Sequence, residues 1–256
     1  MMQRLFLGFS LAIATLLSLP QVTTPRELSE IEADGKIKIA VKDNARPLGF
    51  IDPEGNLVGL EIDLARKLAE ELVGDLDAVE LTPVMNPERL QVVLNDQVDL
   101  AIAKVGVTTP RARIVDFSPY YYLDSTSIVT NQKPITKIDD LATQKIAVLK
   151  NSATIAIIRH RLPAANLVGV ESYQEALQLL ETKQVQGFAG DRSLLVGWVQ
   201  EDPNYKLLPT KLSGSALAVV MPRGLQYQEL RQQVEQAITK LKESGWLAER
   251  IEYWGL

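Results

Sequence analysis

The sequence predicts an α/β protein made of two lobes, each a mostly parallel sheet with flanking helices. Three observations carry that prediction. Short β-branched runs alternate with amphipathic runs of helical period, the pattern of βαβ units. The alternation occurs twice, over stretches of about 90–100 residues that each fall within the usual domain range. A chain of 256 residues, 46% hydrophobic, is large for one core and comfortable for two.

In the first half, Lys36–Val41 reads as a strand. Leu60–Val73 reads as a helix whose apolar face carries Leu60, Leu64, Ala65, Leu68 and Leu72, stopped by Gly74. Val79–Val84 is a strand, Pro87–Leu94 a short helix capped by Asn86, Asp99–Lys104 a strand, and Pro110–Arg113 a helical turn. The second half repeats this order. Strands are expected at Lys145–Leu149, Leu167–Val170, Val185–Gly190 and Lys206–Leu208, and helices at Ser152–Leu162, Tyr173–Lys183 and Ser193–Glu201. Ser172 caps the middle helix, with Glu175 three residues on completing a capping box. A long apolar strand, Ala216–Met221, follows, and then two helices, Gln226–Glu243 and Leu247–Trp254.

Composition removes several functions. A net charge of −5, with no dense basic run after residue 26, argues against a nucleic-acid partner. With no cysteine, disulfides, thiolate metal sites and cysteine catalysis are excluded. The single histidine, His160, leaves no His-rich metal constellation, and its helical setting suits a solvated position. No cofactor is expected. Arg4, the apolar run Leu5–Leu19 and Pro20 have the length of a secretory h-region, short for a membrane span. Residues 1–24 are therefore expected to be a signal peptide, cleaved between Ser18 and Pro25, or an anchor that stays attached. Either reading places the rest in the periplasm or another extracytoplasmic space.

Open α/β sheets bind ligands at the carboxyl ends of their strands, so two facing sheets place those ends in one crevice. Three segments there can carry chemistry. Arg111, one turn after Thr108, can grip a carboxylate as a bidentate pair, or else pair with Asp116. Asp191, at the end of an apolar strand, can hold an ammonium, or cap the helix that follows. Ser152 and Ala153 open a helix after a strand, where free N–H groups favour an anion or are simply capped. A cation with N–H donors, set against an anion, describes an α-amino acid.

In order and motif the chain resembles the type 3 extracytoplasmic solute-binding proteins that serve polar amino acid ABC transporters. The matching stretches include Pro47-Leu-Gly-Phe-Ile-Asp-Pro-Glu-Gly55-Asn-Leu-Val-Gly59-Leu-Glu-Ile-Asp63-Leu, Val98-Asp-Leu-Ala-Ile-Ala and Thr108–Arg111. They continue with Val115-Asp-Phe-Ser-Pro-Tyr-Tyr, Val185–Asp191 and Gly245-Trp, so the resemblance spans roughly residues 28–256. It implies a two-lobed periplasmic-binding fold of type II. One lobe holds residues 28–127 and 219–256, the other 128–218, with Ser127–Thr130 and Ala216–Val220 crossing between them. It further implies a monomer that binds a small amino acid and delivers it to the membrane permease of an ABC transporter. Arg111 then takes the ligand carboxylate, Asp191 its amino group, Thr108 and the Ser152–Ala153 backbone add donors, and Glu61 sits near the cleft mouth.

Departures from the pattern bear on specificity. Ala45-Arg46-Pro47-Leu48 and Asn86 stand where the family stacks aromatics, which leaves Phe50 as a partial substitute or a core residue. Lys104 replaces a small residue, and Gly106 a hydroxyl donor. Arg89 and Lys42 match positions where aspartate and glutamate binders carry arginines, and Arg46 and Lys104 add positive charge. The excess favours an acidic or amide ligand, unless these cations form salt bridges with Glu61, Asp43 or Asp63. Two other readings share the fold: a dehydratase acting on prephenate-like acids with Glu61 as general acid, and a ligand-sensing module that a partner connects to a membrane.

Overall fold

The computed structural model describes residues 26–150 and 152–256. The signal segment expected over residues 1–24 lies outside them. Two five-stranded sheets form the frame. The first has the order Val79–Pro83, Ile37–Val41, Leu100–Ile102, Val220–Met221, Asp116–Phe117. Its first three strands are parallel, and Val220–Met221 runs antiparallel to both neighbours. The second has the order Asn166–Val170, Lys145–Leu149, Gly187–Asp191, Thr126–Thr130, Lys206–Leu207. Again the first three are parallel, with Thr126–Thr130 antiparallel to both of its neighbours.

Side-chain alternation fills both faces of each sheet. Ile37, Ile39 and Val41 pack with Leu64 and Leu68 of the helix Leu60–Val73, while Ala40 faces Val93 and Ala101 on the other side. In the second sheet Ile146 and Val148 face Ile158, whereas Ala147 and Phe188 face Leu180 and Leu195. Covered faces explain the near-continuous apolar runs read as strands.

The connection between the sheets differs from the expected one. The chain leaves the first sheet through Tyr122–Asp124 and returns through Ser215–Leu217, and these two segments pair antiparallel as a ladder of their own. Ser127–Thr130, expected to cross, lies instead in Thr126–Thr130, an interior strand of the second sheet with every residue buried. An apolar run signals burial, and it cannot say in which sheet.

Two local features were not as read. The helix expected over Pro87–Leu94 is reduced to Gln91–Leu94, because the Met85 N–H donates to Glu88 and the Asn86 carbonyl accepts from Arg89. At the helix Tyr173–Glu181, Ser172 Oγ accepts the Glu175 N–H at 3.1 Å, but the Glu175 carboxylate turns to the N–H of Glu171. A small antiparallel sheet of Asn44–Ala45, Gly49–Ile51 and Leu57–Val58 leads into the helix Leu60–Val73. Gly59 ends it at φ 131°, where a Cβ would lie 2.3 Å from the Leu48 carbonyl oxygen, so only glycine fits.

Candidate functional site

The parallel strands of both sheets end on one crevice of about 360 Å³. Lys42 follows the strand Ile37–Val41, Lys104 follows Leu100–Ile102, and Asp191 ends Gly187–Asp191; all three line it. Most of the residues proposed from the sequence meet there: Lys42, Arg89, Lys104, Gly106, Thr108, Arg111, Ala153 and Asp191. Glu61 and Ser152 do not.

Arg111 opens a short 3-10 turn on the wall and donates from Nη1 to the Gly106 carbonyl at 2.8 Å. Asp116 is held instead by Arg223 at 3.5 Å and Arg231 at 3.3 Å. Arg111 thus has no carboxylate partner among the described residues, and its remaining donors stay available beside the exposed Thr108. Gly106 permits a close approach, since a Cβ there would lie 2.7 Å from Ser215 Oγ. A hydroxyl from the crossing ladder thereby stands next to the position where the family pattern has one.

Asp191 does not cap the helix Arg192–Glu201 with its side chain. Asp124 takes that task from the crossing strand: Oδ1 accepts the Ser193 N–H at 3.1 Å and Oδ2 accepts the Ser193 hydroxyl at 2.6 Å. Asp191 is left to pair with Lys104, Oδ2 to Nζ at 2.7 Å. Lys104 is almost completely enclosed. Burial is the largest influence and opposes its charge, but Asp191 with Tyr173 and Asp124 together outweigh it and hold the ammonium above its ordinary pKa.

Beneath Lys104 lies a buried polar brace. Its N–H donates to Glu61 Oε1 at 2.7 Å, and the Tyr121 hydroxyl donates to the same oxygen at 2.5 Å. Arg89 Nη1 donates to the carbonyls of Ala103 at 3.1 Å and Lys104 at 2.7 Å. Glu61 was expected near the cleft mouth; it is fully buried under the floor, because it sits on the core-facing side of its helix. Burial pushes its carboxyl up to about 7, against the bonds from Tyr121 and Lys104. Its Oε2 has no hydrogen-bond partner among the described residues. A group walled off in this way is not placed to protonate a solute in the crevice.

Lys42 is also deep: Nζ donates to the Val84 carbonyl at 2.6 Å, and burial lowers its pKa. Burial, and then the neighbouring Arg111, do the same to Arg89. Neither pairs with Glu61, Asp43 or Asp63 as a salt bridge; Asp63 accepts from Trp254 Nε1 at 2.8 Å. The Ser152 hydroxyl is buried without a hydrogen-bond partner among the described residues, so at this helix start only Ala153 reaches the wall.

Among the wall residues that escaped the sequence reading are Asp124, Ser215 and Tyr173. Tyr173 packs edge-on against Phe188 and Trp198, with ring centroids 6.0 and 6.2 Å away. It supplies an aromatic wall from the second sheet, whereas Phe50 is a core residue under Arg46. Its position, first in a helix directly after a strand end, was the available signal. A second tie spans the crevice: Arg46 Nε lies 3.2 Å from Glu201 Oε1, and Gln200 donates to the Trp254 carbonyl at 2.9 Å. Among the described residues no cluster of His, Cys, Asp and Glu fits a metal, and no helix is long and apolar enough to cross a membrane.

Two α/β lobes joined by a pair of crossing strands, with charged strand ends facing each other, define the fold of the periplasmic binding proteins. The chain belongs to the bacterial extracellular solute-binding proteins, family 3, which it matches over residues 37–256. It is 31% identical to a glutamine-binding protein of Geobacillus stearothermophilus over 73% of this chain and 72% of that protein. It is 26% identical to the ABC transporter glutamine-binding protein GlnH of Bacillus subtilis, over 89% of this chain and 84% of the relative. Among solved structures it is similar to the amino acid ABC transporter substrate-binding protein AbpA of Streptococcus pneumoniae bound to L-arginine. There the TM-score is 0.70 at 26% identity, covering 88% of this chain and 97% of that one.

Proposed function

We propose that the protein is a non-catalytic, monomeric receptor that captures a small amino acid with an acidic or amide side chain. It then delivers the solute to the membrane permease of an ABC transporter. The observation that carries this is Arg111, a guanidinium on the crevice wall without a carboxylate partner among the described residues, across from Asp191. Arg111 with Thr108 and Ser215 takes the α-carboxylate, and Asp191 faces the amino group. The relatives named above are two glutamine-binding proteins and an amino acid substrate-binding protein bound to L-arginine, which supports an amino acid as the solute. The charge of this crevice narrows the choice, because four cations line it against two carboxylates. Closure is a hinge motion of the two lobes, one built on each sheet, about the crossing ladder. A solute that touches both walls only when they meet draws the population toward the closed form.

A thermal-shift screen of the purified protein against the twenty amino acids and small carboxylates tests this reading. A solute at a hundred times its Kd stabilises by about 2.7 kcal/mol. Glutamate, aspartate or their amides are expected to shift the transition. A response to lysine and arginine alone overturns the side-chain preference, and turnover of prephenate overturns the non-catalytic assignment.

A further inference from the structure

Lys104 is a cation of the crevice wall whose charge is already met by a carboxylate. Its placement is built rather than incidental. The backbone sits in the left-handed region at φ 53°, which side-chain-bearing residues seldom adopt. Glu61 fixes the N–H of that residue and Arg89 its carbonyl, so the peptide is held from both sides. From this fixed base the side chain runs into the crevice, 14% exposed, and ends 2.7 Å from Asp191.

The consequence is electrostatic. Asp191 is the carboxylate that an incoming ammonium would use, and it is neutralised from within the protein. Asp124, the other acid on the wall, is committed to the Ser193 N–H and hydroxyl and to the Ser125 N–H. Lys42, Arg89 and Arg111 have no carboxylate partner in a salt bridge among the described residues. An ammonium brought to Asp191 would have to share that carboxylate with the Lys104 ammonium and gain little from it, whereas a second carboxylate would meet the donors that Lys104 still has free.

Building on the solute-capture reading of the same crevice, we propose that Lys104 sets the choice of solute. By standing in for the ligand's amino group at Asp191, it makes that group dispensable and selects short dicarboxylates, with or without an α-amino group. Neutral and cationic amino acids are disfavoured.

Calorimetric titration of the protein with two matched pairs, glutamate against glutarate and aspartate against succinate, tests this, with glutamine as the neutral comparator. In the wild type the better dicarboxylate is expected to bind within about tenfold of its amino acid, and glutamine about tenfold more weakly or worse. Lys104→Met is expected to weaken the dicarboxylate relative to the amino acid by about tenfold or more, because Asp191 then needs an ammonium. Lys104→Gly, which the left-handed backbone accepts, gives the same comparison if the methionine variant folds poorly. Asp191→Asn is expected to lower the amino acid's advantage over the dicarboxylate. Binding of glutamate or glutamine without any response to glutarate or succinate overturns the proposal alone. So does an amino acid to dicarboxylate ratio that Lys104→Met and Lys104→Gly leave unchanged. If no amino acid and no carboxylate binds the wild type, the capture reading fails and this inference with it.

Discussion

The two walls of the crevice are held by different forces. The first-sheet wall presents Lys42, Arg89, Lys104 and Arg111, braced by carbonyls of the floor and by the buried Glu61 and Tyr121. The second-sheet wall presents one exposed carboxylate, Asp191, beside Tyr173, which leans on a stacked pair, Phe188 and Trp198, with centroids 5.1 Å apart. One wall is positioned by polar satisfaction, the other by packing. Polar bracing fixes direction but charges burial to ionisable groups; packing is indifferent to pH and gives stability. The comparison therefore predicts that stability and solute recognition separate between the walls.

The largest effect belongs to the packed wall. Phe188 is fully buried in the second-sheet core. Phe188→Ala is expected to cost about 3–5 kcal/mol, from lost transfer energy and the cavity left behind. Urea unfolding monitored by tryptophan fluorescence measures it. A loss below 1 kcal/mol would show that the ring is not what positions Tyr173.

On the polar wall, Arg111→Ala should do the reverse. Among the described residues its guanidinium bonds only to the Gly106 carbonyl, so removing it leaves folding nearly unchanged. Binding of the carboxylate solute should fall by about a hundredfold, near 2.7 kcal/mol, as expected for a charge-assisted pair. Titration calorimetry beside a melting curve separates the two quantities. An unaltered Kd would remove Arg111 from the recognition scheme.

Glu61 exposes the polar wall's sensitivity to pH. Burial raises its carboxyl to about 7, above the unfolded value of 4.5. Between those values the folded protein binds more protons than the unfolded chain, so stability is full below about pH 4.5 and falls as pH rises through 7. The decline contributed by this group is on the order of 3 kcal/mol. Glu61→Gln should flatten that part of the profile, and parallel profiles for both proteins between pH 5 and 8 would show that Glu61 ionises normally.

The same division explains what the sequence made legible. The helix Leu60–Val73 was readable to its last residue, because the apolar period is regular and Gly74 closes it with φ 92°. That Arg111 and Asp191 would line the crevice was readable because such crevices form at and just beyond strand ends. The burial of Glu61 was not, since a lone acid among Leu60, Ile62 and Leu64 reads as a surface residue until its partners Tyr121 and Lys104, distant in sequence, are known. Asp124 and Ser215 were invisible for a related reason. The crossing strands that carry them pair across about ninety residues, and no local period records that register. Competing uses were equally hidden: sequence offered Asp191 as a helix cap, and only the fold shows that Asp124 has taken that place.

The smallest effect concerns the two ties that span the crevice. Arg46–Glu201 is largely solvated, with side chains 33% and 60% exposed, whereas Lys104 in the other tie is 14% exposed. Exposed pairs of this kind are worth about 0.2–1 kcal/mol and are screened by salt. A double-mutant cycle with Arg46→Ala and Glu201→Ala should therefore give a coupling under about 1 kcal/mol that fades in high salt. The guanidinium of Arg46 also lies over Phe50, its carbon 3.9 Å from the ring centroid, so part of the single-mutant cost belongs to that contact and must be removed by the cycle. A coupling above 2 kcal/mol that resists salt would mean that the rim, and not the Lys104–Asp191 pair, holds the walls together, and the contrast drawn between polar and packed walls would have to include a third region.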